Sequence, residues 1–253
     1  MGFNGIDGAI NVAGQLQWYY VIGYFIVALI IAGFIGWRRR SFGGFTTLDW
    51  VFIGIGAAFA VVWQFFIGSF LGSFVPSSLT NYVSIGFWGG QLLSMMVVAA
   101  LVRKVGVGMV SFVVYSFLGD LFHYGFGGEP VYFFYEALTY GLFLDLMIAF
   151  TGGDIFAVKS SMKASAESMG EAKGGGSSRK LVATMVVEGG IIGFLFAFPD
   201  PIIYSGFFSA FLNGYTPNWQ SNYATLTAFI VSGIPAGAVA GVLANRIARA
   251  LGQ

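Results

Sequence analysis

The sequence predicts an all-α integral membrane protein with about seven transmembrane helices. Of its 253 residues, 57% are hydrophobic and only 9% are charged. Apolar runs of about 20 residues recur along the chain, and that length crosses the hydrocarbon core of a bilayer. A soluble domain of this size needs far more surface charge, so a lipid bilayer is the first partner that the composition implies.

The apolar runs divide the whole chain, treated as one transmembrane domain (1–253), into segments. The first run has no basic residue before it and three after it, which is typical of an uncleaved anchor whose N-terminus lies outside. We distinguish this first span with its basic turn (1–47), a first group of spans (48–150), a flexible Gly/Ser-rich cytoplasmic linker (157–180) and the last two spans (181–253). The predicted spans lie near residues 17–36, 48–70, 84–102, 106–123, 131–150, 181–198 and 223–245.

The basic residues predict the orientation of these spans. All 12 Lys and Arg residues follow an odd-numbered span or lie at the C-terminus. The opposite side has no basic residue and carries Asp7, Glu129 and Asp200. Because basic loops stay in the cytoplasm, we expect a multi-pass plasma-membrane protein with its N-terminus outside and its C-terminus in the cytoplasm.

Two polar stripes enter the membrane in the fourth and fifth spans. The fourth carries Ser116, Asp120, His123 and Tyr124 at helical spacing, and the fifth carries Tyr132, Tyr135, Glu136, Thr139 and Tyr140. The short connection between these spans predicts neighbouring helices and a cavity wall that opens outward. Because charge inside a bilayer costs roughly 2.5–3.5 kcal/mol per group, Asp120 and Glu136 are the leading ligand candidates.

A structural role is the alternative for these acids, which could hydrogen-bond across a helix interface or lie at headgroup depth. His123 and Glu129 are assigned to the rim of the cavity, where polar and aromatic groups are common. Asp145 is half a turn out of phase with Glu136, so we expect it to bond another helix. Glu188 faces either the cavity or a helix contact.

Aromatic and amide side chains at the same predicted depth complete the candidate site. Trp63 and Gln64 belong to the second span, and Trp88 and Gln91 belong to the third. Such side chains suit a flat polar ligand through stacking and directional hydrogen bonds, although tryptophans at this depth are often interface residues. The full set of predicted substrate-binding residues is Asp120, Glu136, Tyr132, Tyr135, Tyr140, Trp63, Gln64, Trp88 and Gln91.

Small residues at four-residue spacing mark faces where helices approach closely. In the second span these are Gly54, Gly56, Ala58 and Ala60, and the seventh span carries a similar series. For the second span, this small-residue face has two alternative roles: packing against other helices of the same chain, or docking of another membrane subunit.

Several function classes lack their motifs. No Walker A sequence or HExxH motif occurs, and one histidine without cysteine cannot supply paired haem ligands or an iron–sulfur site. The last span has no lysine for a retinal Schiff base. We therefore expect no cofactor, no metal site, no catalytic residues and no nucleic-acid partner.

The central block "GFWGGQLLSMMVVAALVRKVGVGMVSFVVYSFLGDLFHYGFGGEPVYFFYEALTYGLFLDLMIAF", residues 86–150, carries a family resemblance. A glycine-rich span ends in basic residues and glycine (103–106), Asp120 ends the next helix, a glycine-rich outer loop follows, and the next helix carries Tyr140, Gly141 and Asp145. This order resembles the substrate-binding S component of energy-coupling factor (ECF) transporters, of the type assigned to thiamine or its hydroxymethylpyrimidine precursor. The chain departs from that family in its additional first span, in Tyr140 where an amide is usual, and in its long linker.

The resemblance implies a six-helix S-component-like bundle plus one extra N-terminal helix. It implies a substrate-binding subunit of an ATP-driven importer for a small, polar, vitamin-like ligand. The second-span face would dock on a membrane coupling subunit shared with cytoplasmic ATPases. Two other functions stay open: a non-catalytic structural subunit of a larger membrane complex, and an ion-coupled secondary carrier.

Overall fold

The computed structural model describes residues 7–77, 79, 80, 82, 89–124, 131–168 and 175–252. Within these ranges, the side chains of residues 124, 131, 132, 166–168 and 175–178 are not described. The described residues form helices joined by short turns, with no strand among them. This confirms the predicted helical class.

Nine helices are described, and four of them contain π-helical stretches. α1 is Trp18–Arg38, α2 is Thr47–Gly72 with a π stretch at Trp63–Gly68, and α3 is Gly89–Val102. α4 is Val107–Gly119 and continues as the π stretch Asp120–Tyr124; α5 covers 131–151 and contains the π stretch Ala137–Gly141. α6 is Val158–Ser168, α7 is Gly175–Leu195, α8 consists of the π stretch Pro199–Phe208 and Ser209–Asn213, and α9 is Trp219–Ala250.

Five helical runs have the length and apolar composition to cross a membrane. They are Trp18–Arg38, Thr47–Gly72, Phe133–Thr151, Arg179–Asn213 and Trp219–Ala250. Two shorter apolar helices, Gly90–Val102 and Val107–His123, lie where the third and fourth spans are predicted. The chain is therefore a multi-pass helical membrane protein by composition and helix length.

The turns after α1 and α3 lie together at the basic end of the bundle. The Ser41 carbonyl accepts a hydrogen bond from the Val105 amide at 3.0 Å. Lys104 Nζ donates to Asp49 Oδ2 at 2.6 Å and to the Gly44 carbonyl at 2.9 Å. Asp49 also closes a capping box with Thr46 at the start of α2. These bonds join the N-terminus of α2 to the α3–α4 turn.

The core lies between α2, α3, α4, α5, α7 and α9. α7 and α9 run antiparallel along a glycine seam, where a Cβ on Gly193 would lie 1.9 Å from the Gly233 carbonyl oxygen. The small residues of the seventh predicted span therefore serve internal packing. α1 is peripheral and packs Ala28 and Ala32 against Leu142 of α5.

The segment predicted as a flexible linker contains helices, which corrects the sequence analysis, and the segment after the predicted sixth span is also helical. The predicted flexible linker, 157–180, contains α6 and the start of α7, while 169–174 lie outside the described residues. α6 forms a helix because its Val158 and Ser161 are buried, at 0% and 2% exposure, and because Asn245 Nδ2 of α9 donates to Ser161 Oγ at 3.1 Å. Residues 199–213, which follow the predicted sixth span, form α8, and only 214–218 separate it from α9.

Candidate functional site

A group of polar side chains lies within the apolar part of α4, α5 and α8. We call Ser116, Tyr135, Glu136, Tyr140 and Asp200 the acid–tyrosine cluster. Tyr135 Oη donates a hydrogen bond to Asp200 Oδ1 at 2.8 Å, and the Tyr140 hydroxyl also hydrogen-bonds Asp200. Ser116 Oγ donates to Glu136 Oε2. The two carboxyl groups are close enough to interact electrostatically.

The π stretch of α5 accounts for the alignment of the two tyrosines. Tyr135 and Tyr140 are five residues apart, a spacing that an α-helix places on different sides. A π-helix bonds residue i to i+5, so that spacing returns to nearly the same side. The rings of Tyr135 and Tyr140 accordingly lie 6.3 Å apart and both hydroxyls reach Asp200.

Asp200 enters the cluster through the break between α7 and α8. Pro199 and Pro201 flank it in "FPDP", and proline cannot continue an α-helical hydrogen-bond ladder because it lacks an N–H. α7 ends at Leu195, and the chain resumes as the π stretch Pro199–Phe208 with Asp200 in its first turn. The local break directs this carboxyl towards α5.

Aromatic rings surround the cluster. The Tyr140 ring centroid is 5.6 Å from Phe112, nearly parallel to it, and 4.9 Å from Phe196. The Tyr135 ring is 5.7 Å from Tyr204 and 5.4 Å from Phe208. Tyr135 and Tyr140 are buried, at 2% and 9% exposure. The two acids thus lie in a largely apolar, aromatic environment.

No basic side chain neutralises these acids among the described residues. The sequence has no Lys or Arg between Lys104 and Lys159 or between Lys180 and Arg246. The hydrogen-bond partners of Glu136 and Asp200 are the hydroxyls of Ser116, Tyr135 and Tyr140. Among the described residues, the partners of these two acids are therefore neutral hydroxyl groups.

The two predicted acids, Asp120 and Glu136, lie in different surroundings. Glu136, Tyr135 and Tyr140 come together with Asp200, whose carboxyl acts electrostatically on that of Glu136. Asp120 begins the π stretch of α4, one helical turn beyond Ser116 in sequence, and is partly exposed. Sequence reasoning missed Asp200 because its apolar run had already ended. The signal was an acid between two prolines next to an apolar helix.

The predicted aromatic and amide residues do not form one group in the described structure. The Trp63 ring packs on the Gly90 backbone, where an added Cβ would lie 2.0 Å from Trp63 Cγ, so Trp63 joins α2 to α3. Gln64 Oε1 is buried without a hydrogen-bond partner among the described residues, and Gln91 is half-buried. Trp88 and the side chain of Tyr132 lie outside the described part of the chain.

Of the two predicted rim residues, His123 and Glu129, only His123 is described. His123 is exposed, and its ring stacks on Phe65 of α2 with centroids 4.4 Å apart. The Phe65 ring in turn lies parallel to that of Tyr115, with centroids 6.4 Å apart, and no residue pattern predicted this contact. Glu129 is not among the described residues.

Two other intramembrane acids stabilise the fold. Asp145 Oδ1 accepts from the Gly106 and Gly108 amides at 2.9 Å each, and Oδ2 accepts from the Met109 amide at 3.0 Å. The prediction that Asp145 bonds another helix is confirmed. Glu188 Oε2 accepts from the Phe156 amide, so Glu188 makes a contact with the turn before α6.

The predicted docking residues lie on two different faces of α2. Gly56 contacts α3, with its carbonyl accepting from Ser94 Oγ at 2.5 Å, and Ala60 is fully buried. These two residues serve internal packing, which corrects their assignment to a docking face. Gly54 has open space around it and Ala58 is exposed. Only the Gly54–Ala58 pair faces outward.

Comparison of the chain with protein-family models, with curated proteins and with solved structures finds no match. The described residues contain no group of three or more His, Cys, Asp or Glu side chains arranged to hold a metal ion.

Proposed function

We propose that this chain is the membrane-embedded substrate-binding subunit of an ATP-driven importer, and that it captures a small cationic ligand at the acid–tyrosine cluster. The observation that carries the proposal is the pairing of Glu136 with Asp200 in an aromatic environment where no described residue brings a basic side chain. The neighbouring hydroxyls of Ser116, Tyr135 and Tyr140 can donate to the acids while a ligand cation neutralises them.

Electrostatics favours a ligand with a positive charge. Taking an ion out of water costs several kcal/mol, and only a close opposite charge with good hydrogen bonds offsets that cost. Buried intramembrane acids are therefore typical of proton, ion or substrate sites. A ligand cation placed between the two carboxyls would recover energy that no side chain of the described chain supplies.

The aromatic rings favour a cation with flat or apolar parts. Tyrosine and phenylalanine faces attract cations at up to about 6 Å, and they stack on planar heterocycles. Phe112, Tyr140 and Phe196 supply such faces beside Asp200. A thiamine-like ligand, with a charged ring and a pyrimidine, has this chemistry and agrees with the resemblance of residues 86–150 to S components.

The energy for import would come from other subunits. The sequence has no phosphate-binding glycine loop, so nucleotide hydrolysis belongs to cytoplasmic ATPases reached through a membrane coupling subunit. The outward Gly54–Ala58 pair of α2 provides a small-residue surface on which such a subunit could pack closely.

We further propose seven membrane crossings with the N-terminus outside. α3 and α4 are short, yet the Lys104–Asp49 and Val105–Ser41 contacts place their turn at the basic end beside the start of α2. Trp63, about 24 Å along α2 from Thr47 at 1.5 Å per residue, contacts Gly90 near the start of α3. This geometry supports α3 as a crossing and not as a re-entrant turn.

A structural subunit of a larger membrane complex is the second candidate. Asp145 already uses its carboxylate as an interhelical bond, and the Ser116–Glu136 and Tyr135–Asp200 bonds join α4, α5 and α8 in the same manner. In that role the cluster would stabilise the bundle and bind no ligand. An ion-coupled carrier is a third candidate, with Glu136 and Asp200 as its proton sites.

Ligand-induced thermal stabilisation of the purified protein tests the proposal. Thiamine and its pyrimidine precursor are added to the wild-type chain in detergent, and we expect the unfolding midpoint to rise with the cationic compound. Glu136→Gln and Asp200→Asn each remove one charge at nearly constant shape. We expect each to weaken binding at least tenfold, because a buried charge–charge contact is worth more than 1.4 kcal/mol.

Asp7→Asn is the matched control, because Asp7 is an exposed acid beside Leu212 and Gly214, at the end of α8 away from Asp200. It should leave binding unchanged. Asp120→Asn tests the alternative acid pair of the sequence analysis. Unfolding midpoints that fall in Glu136→Gln and Asp200→Asn, with no response of the wild type to any cationic vitamin precursor, would favour the structural subunit.

A further inference from the structure

The basic end of α1 carries an open groove lined by Trp37, Arg38, Arg40 and Phe42. Two guanidinium groups and two aromatic rings thus border one space. Trp37 is 73% exposed and Phe42 is 51% exposed. Tryptophan and arginine at the end of a transmembrane helix lie at the depth of the lipid headgroups.

The charges of this groove are not used within the described chain. At the same end of the bundle, Lys104 pairs with Asp49, Arg103 interacts with Asp154, and the stem of Arg39 covers Gly152. The guanidinium groups of Arg38 and Arg40 have no hydrogen-bond or ion-pair partner among the described residues. They are two of the basic groups in the described chain that are left for an external anion.

The backbone at Arg40 gives a second, independent observation. Arg40 has φ of 55°, a left-handed conformation that usually falls to glycine or asparagine at a helix C-terminus. The bond from the Ser41 amide to the Gly36 carbonyl, at 2.9 Å, holds this turn closed. Glycine adopts this conformation more readily than any residue with a Cβ, so an arginine stands where the backbone favours glycine.

We propose that this groove binds the phosphate of an anionic phospholipid headgroup. Arg38 and Arg40 would share the phosphate oxygens through charge-assisted hydrogen bonds. Trp37 and Phe42 would lie against the glycerol and the upper acyl region, as aromatic side chains do at this depth. A lipid is the occupant that the groove favours because it opens at the membrane surface between two exposed aromatic rings.

Binding of phosphatidylglycerol to the full chain in detergent tests this inference, with phosphatidylcholine as the zwitterionic reference. We expect phosphatidylglycerol to raise the unfolding midpoint and phosphatidylcholine to have little effect. Arg38→Gln and Arg40→Gly should each weaken phosphatidylglycerol binding about fivefold, which is the contribution of one basic residue near an anionic surface. Arg40→Gly should fold normally because glycine readily adopts φ of 55°.

Arg246→Gln is the matched control, since Arg246 is an exposed arginine on α9 that lines no part of the groove. It should retain wild-type binding. Equal loss in Arg246→Gln and Arg40→Gly would show a diffuse charge effect and overturn the site. Equal stabilisation by inorganic phosphate at the same concentration, or by phosphatidylcholine, would overturn the lipid assignment.

Discussion

Asp145 shows how a single buried acid can organise two helices of a membrane protein. It lies on α5 with 0% exposure, yet it receives three backbone N–H groups at the start of α4. The first N–H groups of a helix have no partner inside that helix, and no water is available in a bilayer to satisfy them. Asp145 therefore supplies from a neighbouring helix the cap that α4 lacks in its own sequence.

Removing this carboxylate should destabilise the protein strongly. We expect Asp145→Ala to lower the free energy of unfolding by roughly 3 kcal/mol, because three buried donors lose their acceptor. Asp145→Asn keeps one acceptor oxygen and should lie in between. The midpoint of dodecyl-sulfate-induced unfolding, followed by circular dichroism, measures the effect.

Asp154 offers a comparison, since it caps α6 at a partly exposed position through the Lys159 amide at 2.7 Å and the Ser160 amide at 3.2 Å. Asp154→Ala should cost only about 1 kcal/mol, as is usual for an exposed helix cap. Equal losses of unfolding free energy in Asp145→Ala and Asp154→Ala would contradict the argument that burial strengthens the contribution of the Asp145 carboxylate.

The acid–tyrosine cluster separates what residue patterns predict from what they cannot. The spacing of Tyr135, Glu136 and Tyr140 indicated one polar face of α5, and the structure brings these residues together. The pattern could not identify the second acid, because the helical phase of Asp200 depends on a proline break and a π stretch. A π stretch bonds residue i to i+5 where an α-helix bonds i to i+4, and this change alters which side chains share a face. The spacing of apolar residues in the sequence does not reveal where such a stretch occurs.

The pair α7 and α9 depends on glycine along its whole contact. Gly189, Gly193, Gly237 and Gly241 allow backbone-to-backbone approach, and an added Cβ at Gly189 would lie 2.2 Å from the Gly237 carbonyl oxygen. Such close packing stabilises helix pairs in lipid, where no hydrophobic effect favours their association.

A methyl group at the seam should separate the two helices. We expect Gly193→Ala to cost about 3 kcal/mol, the upper range for overpacking, because its Cβ would lie 1.9 Å from the Gly233 carbonyl oxygen. Gly190→Ala on the same helix is the control, because an added Cβ there would lie 3.7 Å from its nearest neighbour, Ile234 Cγ2. It should be neutral or slightly stabilising, since alanine is the better helix former. Similar unfolding midpoints for the two variants would exclude the seam as described.

The positions of the helices were predictable because apolar runs and basic turns mark them directly. α1, α2 and α5 begin and end within a few residues of the predicted spans. The long extension of α8 and the helix α6 were not, because their polar or proline-containing sequences favour loops when read alone. Tertiary contacts hold both helices. Asn245 Nδ2 of α9 donates to Ser161 Oγ of α6 at 3.1 Å, and Tyr135 Oη of α5 donates to Asp200 Oδ1 of α8 at 2.8 Å.

Across the molecule, the N-terminal segment and α8 form a joint cover at the end opposite the basic turns. The Asp7 amide donates to the Leu212 carbonyl at 2.9 Å, and the Leu16 amide donates to the Gly206 carbonyl at 2.8 Å. Trp219 Nε1 donates to the Gly14 carbonyl at 2.6 Å, which joins the start of α9 to the same segment. Access to the cluster from this end would require α8 and residues 7–17 to move together.

The proposed orientation is open to a direct test because the chain contains no cysteine. Single cysteines at four exposed positions, Ile10, Gly44, Thr216 and Ala250, can be labelled in intact cells with a membrane-impermeant maleimide. We expect Ile10→Cys and Thr216→Cys to react in intact cells, and Gly44→Cys and Ala250→Cys to react only after permeabilisation. The physical reason is that Lys and Arg are concentrated at the end of the bundle that carries Gly44 and Ala250, and basic segments resist translocation. Labelling of Gly44→Cys from outside would reverse the orientation and place the acid–tyrosine cluster nearer the cytoplasm, where it could not capture an external ligand.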